Sequence, residues 1–161
     1  MESGERLYET SRPDPARLIV CERSGRWAIA LRRELAGAGV RVWETRQWVD
    51  CWDELAASPA SFVVVEFDPR AEELLERLVQ LPRDFPAARV AAVTDRRWSE
   101  YDALVREAGA VDFVDSPRKA GRLARLACRH LADAPTPSRS LTERIWDGLP
   151  WTRPDREAST G

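Results

Sequence analysis

Apolar residues in this chain fall in short runs that alternate with stretches of helical periodicity, and that rhythm repeats five times. Leu18-Ile-Val-Cys21 is the first run; an amphipathic stretch follows, with Trp27, Ala30, Leu31, Leu35 and Ala38 on one stripe and Gly39 as its stop. Val40 to Glu44 alternates as a strand, and Thr45 is placed to cap a second helix with Trp48, Cys51, Trp52, Leu55 and Ala56 inward, ending before Pro59. The third run, Phe62-Val-Val-Val65, reads as a strand buried on both faces. It delivers Glu66 to its rim, and Asp68-Pro69 is expected to open the next helix as N-cap and first helical residue. Glu72 and Glu73 then suit the first turn, Leu74, Leu75, Leu78 and Val79 face inward, and Pro82 and Pro86 mark a loop. Arg89 to Thr94 is the fourth strand, and Trp98, Tyr101, Leu104, Val105 and Ala108 are the stripe of a fourth helix stopped by Gly109. Val111 to Asp115 is the fifth strand, Ser116-Pro117 a turn, and Leu123, Leu126, Ala127 and Leu131 the stripe of a fifth helix.

Strands and helices alternating through short loops predict an α/β fold, a doubly wound parallel sheet with helices on both faces. Open sheets of this kind keep their sites at the C-terminal edges of the strands, which puts Glu66 at the centre of interest. Three segments are expected: a flexible leader over residues 1–16, one domain over 17–132, and a Pro/Ser linker with a short amphipathic segment over 133–161. In that last segment Ser140 and Glu143 have capping-box spacing and Leu141, Ile145 and Trp146 share a face. It either folds back on its own domain or docks on a partner.

Net charge is −2 and the isoelectric point about 5.6, so nothing draws the whole chain to nucleic acid or to anionic membrane. Charges among the first residues and the lack of a long apolar run lead to a cytoplasmic expectation. Cys21, Cys51 and Cys128 lie far apart without zinc-type spacing, and are expected as reduced, buried thiols. Most of the seven Trp should be packing residues with one partner for each indole N–H. His130, the only histidine, reads as a surface residue at a helix end; neither a catalytic triad nor a metal site has support, and no glycine-rich nucleotide motif is present.

Taken together, the element order and the residues at the strand ends resemble a response-regulator receiver domain (CheY-like), the flavodoxin-like phosphoacceptor module of two-component signalling. The resemblance covers roughly Arg17 to Ala132 and implies the strand order 2-1-3-4-5. That family places two acids after the first strand, an acceptor Asp after the third, Ser or Thr after the fourth, an aromatic in the fifth and Lys-Pro after it. Here the positions read Cys21-Glu22, Glu66, Thr94, Phe113 and Ser116-Pro117. Phosphoryl transfer onto a carboxylate needs Mg²⁺ held by oxygen ligands and a cation to complete the clamp. Cys21 is a soft ligand, Glu66 carries its carboxylate about 1.5 Å further out, and Ser116 removes the lysine; a shift of about 1 Å alone costs roughly 10²-fold in rate. The pocket is therefore read as degenerate, with no cofactor. Glu66 is either a permanent anion acting as a phosphate mimic through Thr94 or a tolerated acid at an exposed strand end.

Arg118, Arg122, Arg125 and Arg129 fall on one stripe of the fifth helix, either a solvated face or a surface for an acidic partner. The resemblance implies a partner or homodimer face on the fourth helix, fifth strand and fifth helix. The expected function is a non-enzymatic, phosphorylation-independent receiver-like signalling module acting through protein contacts. Two rivals stand beside it: an atypical regulator phosphorylated on Glu66 or Asp68 with Mg²⁺, and a flavodoxin-like protein binding flavin or a nucleotide.

Overall fold

The computed structural model describes residues 13–70 and 73–136. Five strands, β1 (Leu18–Cys21), β2 (Val42–Thr45), β3 (Phe62–Glu66), β4 (Arg89–Val93) and β5 (Phe113–Val114), form one sheet in the order β2-β1-β3-β4-β5. Every pairing is parallel, as the alternation of strands and helices predicted. The helices are α1 (Arg26–Glu34), α2 (Trp48–Ala57), α3 (Glu73–Asp84), α4 (Asp102–Glu107) and α5 (Ala120–Asp133); 3-10 turns precede α4 over Arg96–Tyr101 and α5 over Pro117–Lys119.

Because successive strand residues point to opposite faces, the sheet divides its apolar residues between two cores. Ile19, Val63, Val65 and Ala92 meet Leu55, Leu74, Leu78 and Val105 of α2, α3 and α4. Leu18, Val20, Val64 and Ala91 meet Trp27, Leu31, Leu123 and Ala127 of α1 and α5. The mouth formed by the C-terminal strand ends is left for polar groups.

Several local expectations are corrected. α1 ends at Glu34, before Gly39, because Gly37 takes a left-handed turn; Ala38 is exposed. Ala56, Val79 and Leu104 also face outward. Thr45 is the last residue of β2 and does not cap α2, whose N-cap is Gln47. Asp68 does not cap α3: Pro69 and Arg70 form a turn, in which Asp68 Oδ1 accepts from the Arg70 backbone N–H at 3.0 Å. Pro82 lies inside α3, where the Leu78 carbonyl has no N–H four residues on; Gly109 comes against that carbonyl, a Cβ there meeting the oxygen at 3.3 Å.

His130 is no free surface residue, since its Nε2 lies 2.8 Å from the Ala60 carbonyl and its ring packs against Phe62. Trp27 is fully buried, with its indole N–H unpaired. Asp14, assigned to the flexible leader, is fastened through its amide to the Ala57 carbonyl (2.7 Å) and through its carboxylate to Arg17. Leu141, Ile145 and Trp146 lie outside the described residues. No described helix is long and apolar enough to cross a membrane.

Candidate functional site

The ends of β1, β3 and β4 bring Cys21, Glu22, Glu66 and Asp95 around a cleft of about 440 Å³, flanked by Trp48 and Trp98. Register explains the gathering: Cys21 lies beside Val65 on β3, and Glu66 beside Val93 on β4, so the residues just past those positions emerge together.

Glu22 turns inward and is 2% exposed. Its Oε1 accepts from the Ala28 amide at 2.6 Å and its Oε2 from the Trp27 amide at 3.1 Å, with the Ser24 hydroxyl at 3.4 Å. Those amides are donors at the start of α1 that no intrahelical carbonyl can satisfy, and Gly25, the nominal N-cap, has no side chain to offer. A buried carboxylate takes the place of the missing cap, favoured by the helix dipole. Gly25 itself needs to be glycine, with φ +80° and the Arg46 guanidinium 3.4 Å from where a Cβ would stand.

Glu66 emerges at the rim as expected, but it is not free. Its Oε2 accepts from the Arg23 amide at 3.0 Å, and Arg26 Nη2 stands 3.6 Å from its Oε1. The same guanidinium donates through Nη1 to Asp95 Oδ1 at 2.6 Å. Arg26 therefore bridges the acids of β3 and β4 as a resident cation. Arg97 approaches the other oxygen of Asp95 at 3.5 Å, and Arg23 stands 4.0 Å from Asp68.

Thr94 is buried and donates to the Phe67 carbonyl at 3.0 Å. It fastens the loop after β3, and its hydroxyl bonds to that carbonyl and not to Glu66. Phe113 is buried against Phe67 at 5.8 Å, Phe67 against Tyr101 at 5.3 Å, and Tyr101 against Trp98 at 6.2 Å. This row of rings runs from the sheet to the cleft. Ser116 and Pro117 lie apart from the cleft's lining: Ser116 accepts from the Arg118 amide at 3.4 Å, and Pro117 starts the short turn before α5. Lys119 does not replace the family's lysine, because it pairs with Asp115 at 2.7 Å and thereby holds that carboxyl below its ordinary range.

The receiver family's Mg²⁺ does not fit these residues. Both oxygens of Glu22 are held by backbone donors, a guanidinium lies between Glu66 and Asp95, and the remaining position is a thiol. Among the described residues no group of three or more His, Cys, Asp or Glu is placed to hold a metal ion.

Arg122, Arg125 and Arg129 are exposed along α5, whereas Arg118, expected on the same helical stripe, is exposed in the 3-10 turn before it, because the helix starts only at Ala120. Arg122 is nonetheless tied inward, its Nε 2.7 Å from Oδ2 of the buried Asp112, whose Oδ1 receives Arg106 of α4 at 2.6 Å. One carboxylate at the entrance of β5 thus clamps α4 and α5 together.

Sequence reasoning missed Arg26, Asp95 and Arg46. The usable signal was positional, since Arg46 and Asp95 each follow the last residues of a strand end, where a parallel sheet collects side chains.

No protein-family model matches the chain, and no curated protein matches its sequence. Solved structures do match its fold. A response regulator from Thermotoga maritima is 19% identical, with a TM-score of 0.63 over 74% of this chain and 100% of that one. An orphan response regulator of H. pylori is 17% identical, with a TM-score of 0.58 over 74% and 98% of the two chains. An atypical orphan response regulator is 18% identical, with a TM-score of 0.60 over 76% and 99%. These likenesses show that the chain has the fold of a response-regulator receiver domain.

Proposed function

We propose that this chain is a receiver-like regulatory module that acts through protein contacts and without phosphorylation. The observation that carries the reading is Arg26, a fixed guanidinium between the acids at the ends of β3 and β4. Phosphoryl transfer needs that position for a metal ion which neutralises incoming charge while leaving the acceptor carboxylate free to attack. Here the neutralising cation is covalently part of the chain, and Glu66 is already hydrogen-bonded. The atypical orphan regulator among the structural neighbours is described as using a phosphorylation-independent mechanism, so the scaffold accommodates this mode.

Recognition is assigned to α4, β5 and α5. The exposed arginines of α5 give that face positive charge, and Asp112 holds its two helices in fixed relation. Leu75, Val79, Leu104 and Ala108 line an adjoining apolar groove between α3 and α4. The partner is an acidic protein surface or a second copy of this chain, in the cytoplasm, and the module is not an enzyme.

Incubation with acetyl phosphate and Mg²⁺ followed by intact-mass measurement tests the first half of this reading. An unchanged mass is expected, and a phosphoryl group on Glu66 or Asp68 overturns it. For the second half, Arg118→Glu with Arg125→Glu should abolish whatever specific association the native protein shows in sedimentation or affinity capture. Association that survives both changes removes the α5 face from the proposal.

A further inference from the structure

Two helices carry more apolar surface than their own core uses. The sequence writes Leu74, Leu75, Leu78 and Val79 as one stripe of α3, and Leu104, Val105 and Ala108 as part of one stripe of α4. Only Leu74, Leu78 and Val105 are fully taken into the core; Leu75 and Ala108 are half-buried, and Val79 and Leu104 remain 46% and 44% exposed. The surplus lines a groove of about 800 Å³ between the helices, and the charges on its rim, Glu76, Asp84 and Glu107 against Arg83, leave it acidic. An open apolar groove bordered by charge is a form that takes the apolar face of an amphipathic helix.

One segment of this chain has such a face: Ser140 and Glu143 have capping-box spacing, and Leu141, Ile145 and Trp146 share a side. On a helix Arg144 borders that side while Asp147 lies opposite it, so the charges suit an acidic rim. We propose that residues 140–148 form a short helix that lies in the α3–α4 groove of the same chain, setting Leu141, Ile145 and Trp146 on Leu75, Val79 and Leu104. The reach is sufficient. α3 and α4 run back to the strand entrances, where Asp84 and Ala108 mark the near end of the groove; α5 ends at the same edge, His130 meeting the Ala60 carbonyl ahead of β3. α5 and the groove lie on opposite faces, and crossing one sheet with a helix layer on each side takes about 20 Å. Ala134 leaves α5 in extended backbone, and seven extended steps to Leu141 cover about 22 Å. A tether of that length holds the segment at roughly millimolar effective concentration, well above that of a second copy in dilute solution. Nine residues are too few to be helical alone, so the segment gains order from the groove as the groove gains cover from it. The proposal concerns this groove and holds whether or not the α5 arginines bind a partner.

Hydrogen exchange on the full chain, read by mass spectrometry at low micromolar protein, tests this. Amides of residues 142–147 should exchange at least about tenfold more slowly than in an unstructured peptide of the same sequence. Val79→Asp with Leu104→Asp puts acids at two exposed positions of the groove, and should return those amides to the unstructured rate while β1 and β3 stay protected. Leu104→benzoylphenylalanine should, on irradiation, link to residues 141–146 within a monomer. Unprotected amides in the native protein leave the groove to a separate protein and overturn the proposal. Protection that rises with protein concentration assigns the groove to a second copy and overturns it too, as does protection that survives both acids or a cross-link formed elsewhere. The first two readings come from the native sequence, so no folding defect in a variant can hide them.

Discussion

Replacing Glu22 with alanine removes the acceptor that serves two amides at the start of α1. The bonds are 2.6 Å to Ala28 and 3.1 Å to Trp27, at a residue only 2% exposed, so neither donor regains bulk water. A hydrogen bond to a charged acceptor contributes roughly 1.5–3 kcal/mol, and a buried donor left unpaired costs about 1–3 kcal/mol. Two such bonds set a ceiling near 6 kcal/mol, from which the relieved cost of burying a carboxylate is subtracted. The expected loss is about 2–4 kcal/mol, a large part of the 5–15 kcal/mol typical of a domain. Glu22→Gln keeps one acceptor oxygen and should lose about 1–2 kcal/mol. Urea unfolding followed by circular dichroism reads both, with the midpoint falling and the slope unchanged.

The same bonds oppose use of Glu22 as a metal ligand. Withdrawing it from α1 to face an ion forfeits the same 2–4 kcal/mol, which lowers apparent affinity roughly 30- to 700-fold. Mg²⁺ should therefore leave the midpoint of the native protein where it is, since a ligand stabilises only in proportion to its binding. A Glu22→Ala loss below about 0.5 kcal/mol, the range of an ordinary surface change, would refute the capping role. So would stabilisation by Mg²⁺ that disappears with Glu22.

Three further outcomes follow from the geometry. Arg26→Ser removes the cation shared by Glu66 and Asp95 and should cost about 1 kcal/mol in urea unfolding, less at high salt because the pair is partly exposed; an unchanged midpoint contradicts the bridging role. Phe67→Ala deletes a ring that is 3% exposed and packed edge-on against Phe113 and tilted against Tyr101, and should cost about 3–5 kcal/mol in urea unfolding. Asp115 is held below its ordinary 3.8 by the hydrogen bond from Lys119, so this pair stabilises the fold above that pH and the contribution is lost as pH falls through the lowered value. Lys119→Met should therefore cost at most about 1 kcal/mol near neutral pH, because the pair is partly exposed, and nothing in strong acid. A loss that persists in acid would point to packing by the lysine stem.

The alternation of apolar runs with helical stripes determined the order of elements, the parallel sheet and the place of Glu66 at its rim, because strand and helix periodicities are local and written in consecutive residues. Propensity misled where a longer-range contact intervened. Pro82 reads as a loop residue yet lies inside α3, where Gly109 comes against the Leu78 carbonyl, which has no N–H four residues on. Asp68-Pro69 has the residue types of a helix start, yet the chain turns once more before α3.

The chemistry of the cleft was legible only as residue types, and its assignments came from the fold. Glu22 could equally face an ion or a helix start until β1 and α1 were set at their observed angle. Arg26 and Asp95, which meet at 2.6 Å, lie 69 positions apart in the chain. Partners of this kind are selected by packing the whole sheet against its helices. No spacing in the chain encodes them, because register and side-chain direction exist only once the strands have paired.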